Sequence, residues 1–323
     1  MIKIAIVGYG NLGRACERIA HNSGDFETVG IFTRRNPDTV KSDFGTPVYS
    51  QRDIESFKDE TDVACICTGS ANDVTDLGIR LAKNFNTVDS FDTHAKMSAY
   101  FEQMDNTAKQ SGKLCFVGMG WDPGLFSLMR GLCEGILPFA DTQTFWGRGV
   151  SQGHSEAIRR IEGVVDAKQY TVPKDEALRL AREGKGGSLK VRDKHLRECF
   201  VVAEEDADKA EIERKIVSMP DYFEPYDTVV HFIDEEEFKS RHSAMPHAGF
   251  VLRSGEINGA RCNIEFSLKL DSNPDFTAAV LMAYAKANAN LAIAGETGAK
   301  SILDIPASAL LGKDRSANVG KFV

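Results

Sequence analysis

The feature that most constrains this chain is a glycine-rich motif near its start. Directly after the strand-like run Lys3–Val7 stands the motif Gly8-Tyr9-Gly10-Asn11-Leu12-Gly13. A helical pattern, Leu12–Asn22, begins inside it. A strand, a glycine-rich turn and a helix in this order are typical of a dinucleotide-binding fold. The first glycine permits a tight turn, the second lets the backbone approach a pyrophosphate, and the third lets the helix pack on the strand. The alternative is a glycine-rich turn without a ligand.

The first 120 residues alternate between strand-like and helical patterns. Further strands are predicted at Thr28–Phe32, Val63–Thr68, Thr87–Val88 and Lys113–Val117, and further helices at Val74–Asn84 and Met97–Gln110. This alternation predicts an α/β fold, a Rossmann-type doubly wound parallel sheet over residues 1–120.

The pattern changes near Gly118. Six longer strands are predicted at Thr142–Gly147, Val165–Val172, Leu196–Ala203, Thr228–Ile233, Gly249–Arg253 and Ala260–Leu270. Helices are predicted at Leu125–Leu137, Lys174–Glu183 and Lys209–Ser218. These runs indicate a second, α+β domain over residues 121–274, built on a mixed or antiparallel sheet. An Ala-rich helix at about Asp275–Ala294 is expected to bring residues 275–323 back onto the first domain.

Composition limits the partners. The 323 residues include 47 acidic and 39 basic side chains, a net charge of −8, which argues against nucleic acid and anionic membranes. The sequence shows neither a spanning apolar run nor a signal-peptide pattern at its start. The seven cysteines are scattered without metal-site spacing. We therefore expect a cytoplasmic protein with no bound metal.

Cofactor choice is expected to be decided at the end of the second strand. An enzyme that uses NAD usually places Asp or Glu there, on the ribose 2′-hydroxyl. Here the strand ends in Thr33-Arg34-Arg35. Two guanidinium groups are suitable donors for a 2′-phosphate, so the sequence favours NADP. A solvated pair of surface arginines is the alternative.

Two more predicted strands end at the same crevice, followed by Thr68-Gly69-Ser70-Ala71 and by Asp89-Ser90-Phe91-Asp92. The full set of residues expected to contact the cofactor is Gly8, Tyr9, Gly10, Asn11, Leu12, Gly13, Thr33, Arg34, Arg35, Gly69, Ser70, Ala71, Asn72, Ser90, Phe91, Asp92, Met119, Gly120, Trp121, Asp122 and Pro123.

Several longer blocks are more distinctive than the glycine motif. They are Phe32-Thr33-Arg34-Arg35, Val88-Asp89-Ser90-Phe91-Asp92, Gly120-Trp121-Asp122-Pro123-Gly124, Thr144-Phe145-Trp146-Gly147, Ser151-Gln152-Gly153-His154-Ser155, Arg197-Glu198-Cys199-Phe200, Met245-Pro246-His247 and Leu268-Lys269-Leu270-Asp271-Ser272-Asn273-Pro274-Asp275-Phe276. With the glycine motif they run in order from residue 7 to 276, and in them the chain resembles the meso-diaminopimelate dehydrogenase family. Residues 301–323 carry no motif that we can match.

The resemblance implies an NADP-dependent enzyme that interconverts meso-2,6-diaminopimelate with L-2-amino-6-oxopimelate and ammonia. Oxidation would occur at the D-configured carbon. The resemblance further implies a homodimer that serves lysine and cell-wall precursor synthesis in bacteria.

Such a substrate carries an ammonium and a carboxylate at each end, so its site needs partners for both charges at both ends. By similarity to the family, Asp92 and Asp122 would hold the reacting ammonium, and one of them, directly or through water, would accept its proton. The alternatives are an N-cap role for Asp92, before a helix near Lys96, and a turn-forming role for Asp122.

The other substrate contacts are expected in the second domain. Gln152 and the backbone N–H of Gly153 would grip a carboxylate where a helix begins near His154, unless Ser151 merely caps that helix. Trp146 would wall the pocket, although such a residue is more often in a core. The remaining expected contacts are Thr171, Arg197, His247 and Asn273.

Arg197 would clamp the distal carboxylate, supported by the Thr171 hydroxyl and an N–H of His247. For these three the alternative is an internal salt bridge and ordinary strand polarity. For Asn273 it is a turn or an N-cap.

Three other functions remain open from the sequence. The first is a reductase of similar architecture, such as a dihydrodipicolinate-reductase-like or sugar-dehydrogenase-like enzyme, although the Glu-Lys-Pro tripeptide expected of the latter does not occur. The second is a relative that accepts other D-amino acids, because pocket width cannot be read from sequence. The third is a non-catalytic NADP-binding sensor or scaffold.

Overall fold

The computed structural model describes residues 1–69, 74–311 and 314–323. The chain divides into two units, one formed by Met1–Leu128 with Pro274–Val323 and the other by Met129–Asn273. The first unit extends eight residues beyond the boundary expected at residue 120. The reason is that Leu125 and Leu128 pack against its apolar core.

The strands, in chain order, are β1 Ile2–Val7, β2 Phe26–Thr33, β3 Val48–Ser50, β4 Val63–Ile66, β5 Thr87–Asp89, β6 Leu114–Phe116, β7 Ala140–Trp146, β8 Gly149–Val150, β9 Val164–Pro173, β10 His195–Ala203, β11 Asp227–Phe232, β12 His247–Ile257, β13 Ala260–Leu270 and β14 Gly298–Lys300. The helices are α1 Asn11–Ser23, α2 Val74–Leu81, α3 Met97–Ser111, α4 Leu125–Ile136, α5 Gln152–Arg159, α6 Asp175–Arg182, α7 Val191–Lys194, α8 Lys209–Val217, α9 Glu235–Arg241, α10 Asn273–Ile293 and α11 Arg315–Phe322. Short 3₁₀ turns connect several of them.

The first unit is built on a seven-stranded sheet in the order β3-β2-β1-β4-β5-β6-β14. Each neighbouring pair in it is parallel. Six of these strands follow the Rossmann order, with the switch point beside β1, so the predicted fold class is confirmed. The sequence did not predict β3 and β14, which are mostly half-buried, unlike the equally short but fully buried β5 and β6.

Strand β1 shows why this sheet needs apolar residues on both faces. Ile4 and Ile6 belong to one apolar cluster, and Ala5 and Val7 belong to another on the opposite face. Helix α10 supplies much of the first cluster. Its buried Asn288 donates from the side-chain amide to backbone carbonyls of β5 and β6, at 3.3 and 3.1 Å. The C-terminal segment therefore packs within the cofactor unit.

The second unit is α+β, as predicted, but it contains two sheets where one was expected. One sheet has the order β11-β10-β9-β8 and mixes parallel and antiparallel pairs, and the other is the antiparallel sheet β13-β12-β7. The sequence could locate the strands but not assign them to sheets, because β7 pairs with β12 more than 100 residues later along the chain.

Three further observations concern the described residues. None of their helices is long and apolar enough to cross a membrane. They contain no group of three or more His, Cys, Asp or Glu side chains placed to hold a metal ion. All seven cysteines are free thiols, and six of these are buried.

Candidate active site

The glycine motif forms the turn between β1 and α1. Gly8 has a φ of +98°, and an added Cβ there would lie 2.9 Å from the backbone of Cys67. An added Cβ at Gly13 would lie 2.2 Å from the carbonyl oxygen of Gly8, whereas one at Gly10 would meet nothing within 4 Å. The first and third glycines are thus required by packing, and the second leaves space in which a ligand can approach the backbone.

The arginine pair, Arg34 and Arg35, lines a cleft of about 580 Å³ together with the glycine motif. Arg35 donates from Nη2 to the carbonyl oxygen of Tyr9 at 2.5 Å, which fixes its guanidinium beside the glycine turn. The described lining contains no carboxylate: it is Gly8, Tyr9, Gly10, Phe32, Thr33, Arg34, Arg35, Gln51, Cys67, Thr68 and Gly69.

These residues fit a dinucleotide with a 2′-phosphate. Helix α1 begins with no acidic residue in its first turn and no side-chain cap, so its first N–H groups are available to an anion. The buried hydroxyl of Thr68, which lines the cleft, has no hydrogen-bond partner among the described residues. Thr33 is itself buried, and its hydroxyl accepts a hydrogen bond from the backbone N–H of Arg35, so it stabilises the loop that carries the arginine pair.

The sequence did not single out the residues that hold the glycine turn from behind. The Tyr9 hydroxyl donates to the buried carboxylate of Glu17, which also accepts from the Ser42 hydroxyl at 2.6 Å. Burial raises the pKa of Tyr9 to about 12, so its hydroxyl stays protonated and keeps donating. No sequence signal marked Glu17, because it lies on a helix where acids are common.

Ser70, Ala71 and Asn72 lie outside the described residues. Asn11 and Leu12 open helix α1, the former exposed and the latter half-buried. The other expected cofactor residues follow β5 and β6: Ser90, Phe91, Asp92, Met119, Gly120, Trp121, Asp122 and Pro123. Phe91 and Met119 are fully buried, so their side chains support the loops from inside.

The two candidate catalytic carboxylates lie in these loops. Asp92 is exposed and is not an N-cap. The N-cap position of the next 3₁₀ turn is Thr93, and the N-cap position of α3 is Lys96. Asp122 occupies a tight turn that Gly120 closes by donating to the carbonyl of Pro123 at 3.1 Å. Its turn-forming role is therefore real, and a binding role is compatible with it.

In the second unit, Arg197 is the most informative side chain. It lies on β10 opposite Thr171 of β9, it is only 8% exposed, and it donates from Nη1 to the Thr171 hydroxyl. Its guanidinium carbon lies 3.8 Å from the ring centroid of Tyr226. Its Nε has no hydrogen-bond partner in the described chain. Burial lowers the pKa of Arg197, which means that its charge is incompletely compensated.

The salt-bridge alternative for Arg197 is not supported, since it forms no ion pair with a carboxylate of the described residues. Gln169, also on β9 and fully buried, leaves its side-chain oxygen without a partner in the same part of the chain. Neither Tyr226 nor Gln169 was predicted. Both are ordinary residues in strand-like or turn sequence. Only the pairing of β10 with β9 brings Gln169 near Arg197, and only the pairing of β10 with β11 brings Tyr226, which directly precedes β11, near it.

Trp146 ends β7 and is 42% exposed, so it is not a core residue. Its backbone N–H donates to Nε2 of His195 at 3.0 Å. The pKa of His195 is lowered to about 4, mainly by burial and further by the positive charges of Arg197 and Lys194. A neutral His195 therefore anchors the end of the strand that carries Trp146.

Helix α5 begins at Gln152, two residues earlier than expected. Ser151 occupies the N-cap position without a side-chain bond to the backbone, because its hydroxyl hydrogen-bonds Nδ1 of His154 at 2.7 Å. Gln152 and Gly153 are exposed and line a cavity of about 510 Å³. The first turn thus keeps its N–H groups available, as a carboxylate-binding role requires.

The last two expected contacts lie at element ends. His247 is the first residue of β12 and is half-buried, with Nδ1 3.2 Å from the Met245 carbonyl oxygen, and burial lowers its pKa. Asn273 is the first residue of α10 and the last residue of the second unit. The expected substrate contacts of the second unit therefore come from β7, α5, β9, β10, β12 and the start of α10.

A Rossmann cleft with arginines in place of the usual acid, on a chain with a second α+β unit, defines the class of NADP-dependent oxidoreductases. The Diaminopimelic acid dehydrogenase C-terminal domain family matches residues 120–272. A meso-diaminopimelate D-dehydrogenase from Ureibacillus thermosphaericus is 54% identical over 306 residues, covering 94% of each chain. The chain belongs to the meso-diaminopimelate D-dehydrogenase family, whose members are oxidoreductases acting on a CH–NH₂ group.

Solved structures agree with this assignment. The Corynebacterium glutamicum diaminopimelate dehydrogenase, in complex with diaminopimelate, is 41% identical, covers 100% of this chain and 99% of its own, and has a TM-score of 0.89. An engineered D-amino acid dehydrogenase bound to NADP⁺ is 39% identical, with the same coverage of 100% and 99% and a TM-score of 0.84.

Proposed function

We propose that this chain catalyses the reversible NADP-dependent oxidative deamination of meso-2,6-diaminopimelate at its D-centre, giving L-2-amino-6-oxopimelate and ammonia. The observation that carries the proposal is Arg197, a buried guanidinium without a carboxylate partner among the described residues, held by Thr171 and Tyr226. A charge left in this condition favours a substrate that brings its own anion.

The first unit supplies the cofactor site. The glycine turn and the N-terminus of α1 would bind the pyrophosphate, and the arginine pair would bind the 2′-phosphate. When bound, NADP accepts a hydride from the D-configured carbon. Protein groups would orient the substrate and take up the ammonium proton, and water would then hydrolyse the resulting imine, supplying the carbonyl oxygen and releasing ammonia.

Asp92 and Asp122 would bind the reacting ammonium, and one of them would accept its proton, directly or through water. Many amino-acid dehydrogenases use a lysine as the base, but none of the crevice motifs contains one. The carboxylates follow β5 and β6, whose carboxyl ends face the same edge of the parallel sheet as the glycine turn.

The second unit would fix the other end of the substrate. Arg197 and Thr171, with an N–H of His247, would hold the distal carboxylate. Gln152 and Gly153 would hold the other carboxylate. Trp146 would form a wall of the pocket. With Asn273 as a further polar contact, the distal L-centre is fixed. Only one face of the D-centre would then be presented to the cofactor, which explains the selectivity for D-configuration.

The functional test compares substrates directly. NADP reduction with meso-diaminopimelate is measured beside a panel of monocarboxylic D-amino acids, and ammonia-dependent NADPH oxidation is measured in reverse. We expect diaminopimelate to be strongly preferred, because only it offers an anion to Arg197. Equal activity on the panel would favour a broad D-amino-acid dehydrogenase, and no turnover would favour a non-catalytic NADP-binding protein.

The roles of the two carboxylates are tested separately. Asp92→Asn and Asp122→Asn are each assayed for kcat across pH. The variant that removes the base should lower kcat and change its dependence on pH, whereas a binding variant should mainly raise KM. Unchanged profiles in both variants would exclude these residues as bases.

We further propose that the protein is a cytoplasmic homodimer that joins through its second unit. Leu132 and Ile136 lie four residues apart on α4 and are 51 and 60% exposed, and Phe139, in the turn after the helix, is 86% exposed. A second copy of the chain would cover these apolar side chains. Light scattering after gel filtration should give a mass twice that of the 35.4 kDa chain, and the Phe139→Asp variant should have the mass of a single chain.

A further inference from the structure

The residue Asp89 lies between the two loops that carry the candidate catalytic carboxylates. It is the last residue of β5 and is 0% exposed. Its Oδ1 accepts backbone N–H groups from both Phe91 and Gly118, each at 3.0 Å. One carboxylate oxygen thus joins the loop after β5 to the loop after β6.

The other half of this carboxyl group is held from α3. The Tyr100 hydroxyl donates to Oδ2 at 2.8 Å, and its ring packs on Phe91 with centroids 4.8 Å apart. The backbone makes a further link, since the N–H of Met119 donates to the carbonyl oxygen of Asp89 at 2.7 Å. Asp89 therefore fixes Phe91, which directly precedes Asp92, and Gly118 and Met119, which precede Asp122 in the loop after β6.

A packing detail shows that the Tyr100 contact is built into the fold. The Tyr100 hydroxyl lies beside Gly78 of α2, where an added Cβ would be only 2.1 Å from the hydroxyl oxygen. Glycine normally costs about 1 kcal/mol inside a helix relative to alanine. Its presence here leaves the space through which Tyr100 reaches Asp89.

Within residues 1–69, 74–311 and 314–323, no cation is found beside Asp89 to offset its burial. Burial raises its pKa, and the hydrogen bonds from Gly118, Phe91 and Tyr100 act against that shift. A buried carboxyl group held only by neutral donors is costly to fold, so it is expected where its geometry serves another purpose.

We propose that Asp89 is a positioning residue for the reaction, one that holds the loops after β5 and β6 in a fixed relation so that Asp92 and Asp122 keep their places at the cofactor. This inference rests on the proposed function, because the two loops matter only if they carry the substrate-binding carboxylates. A loop shift of about 1 Å can reduce turnover by about a hundredfold.

The experiment uses three variants of the full chain. Asp89→Ala removes the side-chain hydrogen bonds that join the two loops, here called the loop clamp, and should lower kcat by about tenfold to a hundredfold. Asp89→Asn keeps an oxygen for both N–H groups and an amide that can donate to Tyr100, so it should retain most of kcat. Gly78→Ala leaves Asp89 in place but displaces the Tyr100 hydroxyl, and it should lower kcat although alanine favours the helix.

The affinity for 2′,5′-ADP, which fills only the adenosine part of the cleft, should remain at the wild-type value in all three. The isotope effect with meso-diaminopimelate deuterated at both α-carbons should rise in Asp89→Ala, because the hydride step becomes slower. The matched control is Asp105→Ala, which removes a carboxylate that accepts the N–H of Ala299 in β14, at 2.9 Å, and should leave kcat unchanged.

A second measurement does not depend on turnover. Trp121 is one of only two tryptophans in the chain, so in a Trp146→Phe background its fluorescence reports on the loop after β6 alone. Acrylamide quenching of Trp121 should rise in Asp89→Ala and Gly78→Ala but not in Asp89→Asn. If the wild type fails to oxidise diaminopimelate while the quenching pattern holds, the proposed function fails and the loop clamp stands.

Two results would overturn the inference. One is a folded Asp89→Ala protein with wild-type kcat and quenching. The other is an Asp89→Asn protein as impaired as Asp89→Ala, which would mean that charge rather than hydrogen-bond geometry matters. If Asp89→Ala does not fold, Gly78→Ala together with Tyr100→Phe decides, since wild-type kcat and quenching in both would equally refute it.

Discussion

Replacing Arg197 by methionine separates a substrate-binding charge from a structural one. Methionine has a similar length and no charge, so it preserves packing while removing the guanidinium. The substrate carboxylate would then enter a buried site without its partner. Truncating one member of a buried, hydrogen-bonded charge pair costs about 2–5 kcal/mol, which corresponds to a loss of about 30-fold to several thousandfold in kcat/KM for diaminopimelate.

The effect on stability should be small, and its size follows from the surroundings of Arg197. Burying one charge costs several kcal/mol. The Tyr226 ring at 3.8 Å offsets about 2 kcal/mol and the Thr171 bond about 1.5–3 kcal/mol. These terms nearly cancel, so the free energy of unfolding of the ligand-free protein should change by no more than about 1 kcal/mol. Loss of a buried salt bridge would instead cost about 3–5 kcal/mol.

The assay combines steady-state kinetics, NADPH binding by fluorescence and urea unfolding on the same preparation. The matched control is Arg182→Met, which removes an exposed arginine of the same unit that pairs with Glu265 at 2.9 Å. It should alter neither kinetics nor NADPH affinity. Equal losses of diaminopimelate use and NADPH affinity in Arg197→Met, or a loss of several kcal/mol in stability with an unchanged KM, would refute the reasoning.

The other predictions concern the cofactor turn, the arginine pair and a buried histidine. Gly13→Ala should lower the melting temperature and abolish NADP binding because its Cβ meets the Gly8 carbonyl at 2.2 Å, whereas Gly10→Ala should weaken binding without lowering the melting temperature of the free protein. Thermal unfolding with and without NADP distinguishes these cases. Alanine at both positions of the arginine pair should reduce the ratio of NADP to NAD kcat/KM by about tenfold to a hundredfold, as expected from the loss of charge-assisted bonds worth about 1.5–3 kcal/mol, and an unchanged ratio would contradict the cofactor assignment. Burial lowers the pKa of His195 to about 4, so below about pH 6.5 the unfolded chain takes up a proton that the folded one does not. The stability that His195 contributes is complete above that pH and is lost as pH falls toward 4. His195→Asn should therefore flatten the decline in urea titrations, and the exposed His21→Asn should not.

The sequence predicted the elements whose patterns are long and local. Strands β1 and β2 could be located because burial on both sides of the sheet requires continuous apolar runs. The glycine turn could be located by its motif between a strand and a helix, and α10 by its long Ala-rich run. The short strand β14 and the division of the second unit into two sheets could not, since both depend on pairings between residues far apart in the chain. Local pattern contains no information on such partners.

The same limit applies within the candidate site. Arg197 was noticeable because a guanidinium interrupts an apolar strand, but Tyr226 became visible only once its ring was placed against that guanidinium. Asp89 and Asp92 stand three residues apart in one motif, and one is fully buried while the other is exposed. Which of two neighbouring aspartates turns inward is decided by Gly118 and Tyr100, which lie elsewhere in the chain.

The division of the cofactor unit between the two ends of the sequence has a consequence for synthesis on the ribosome. Strand β6 receives its outer neighbour, β14, only after the whole of residues 129–273 and helix α10 has been made. At about 5–20 residues per second, that delay lasts roughly 10–40 s. Throughout it, β6 exposes unpaired backbone groups that can join a strand of another nascent chain. Yield of native enzyme should therefore depend on translation speed and on chaperones that shield this edge.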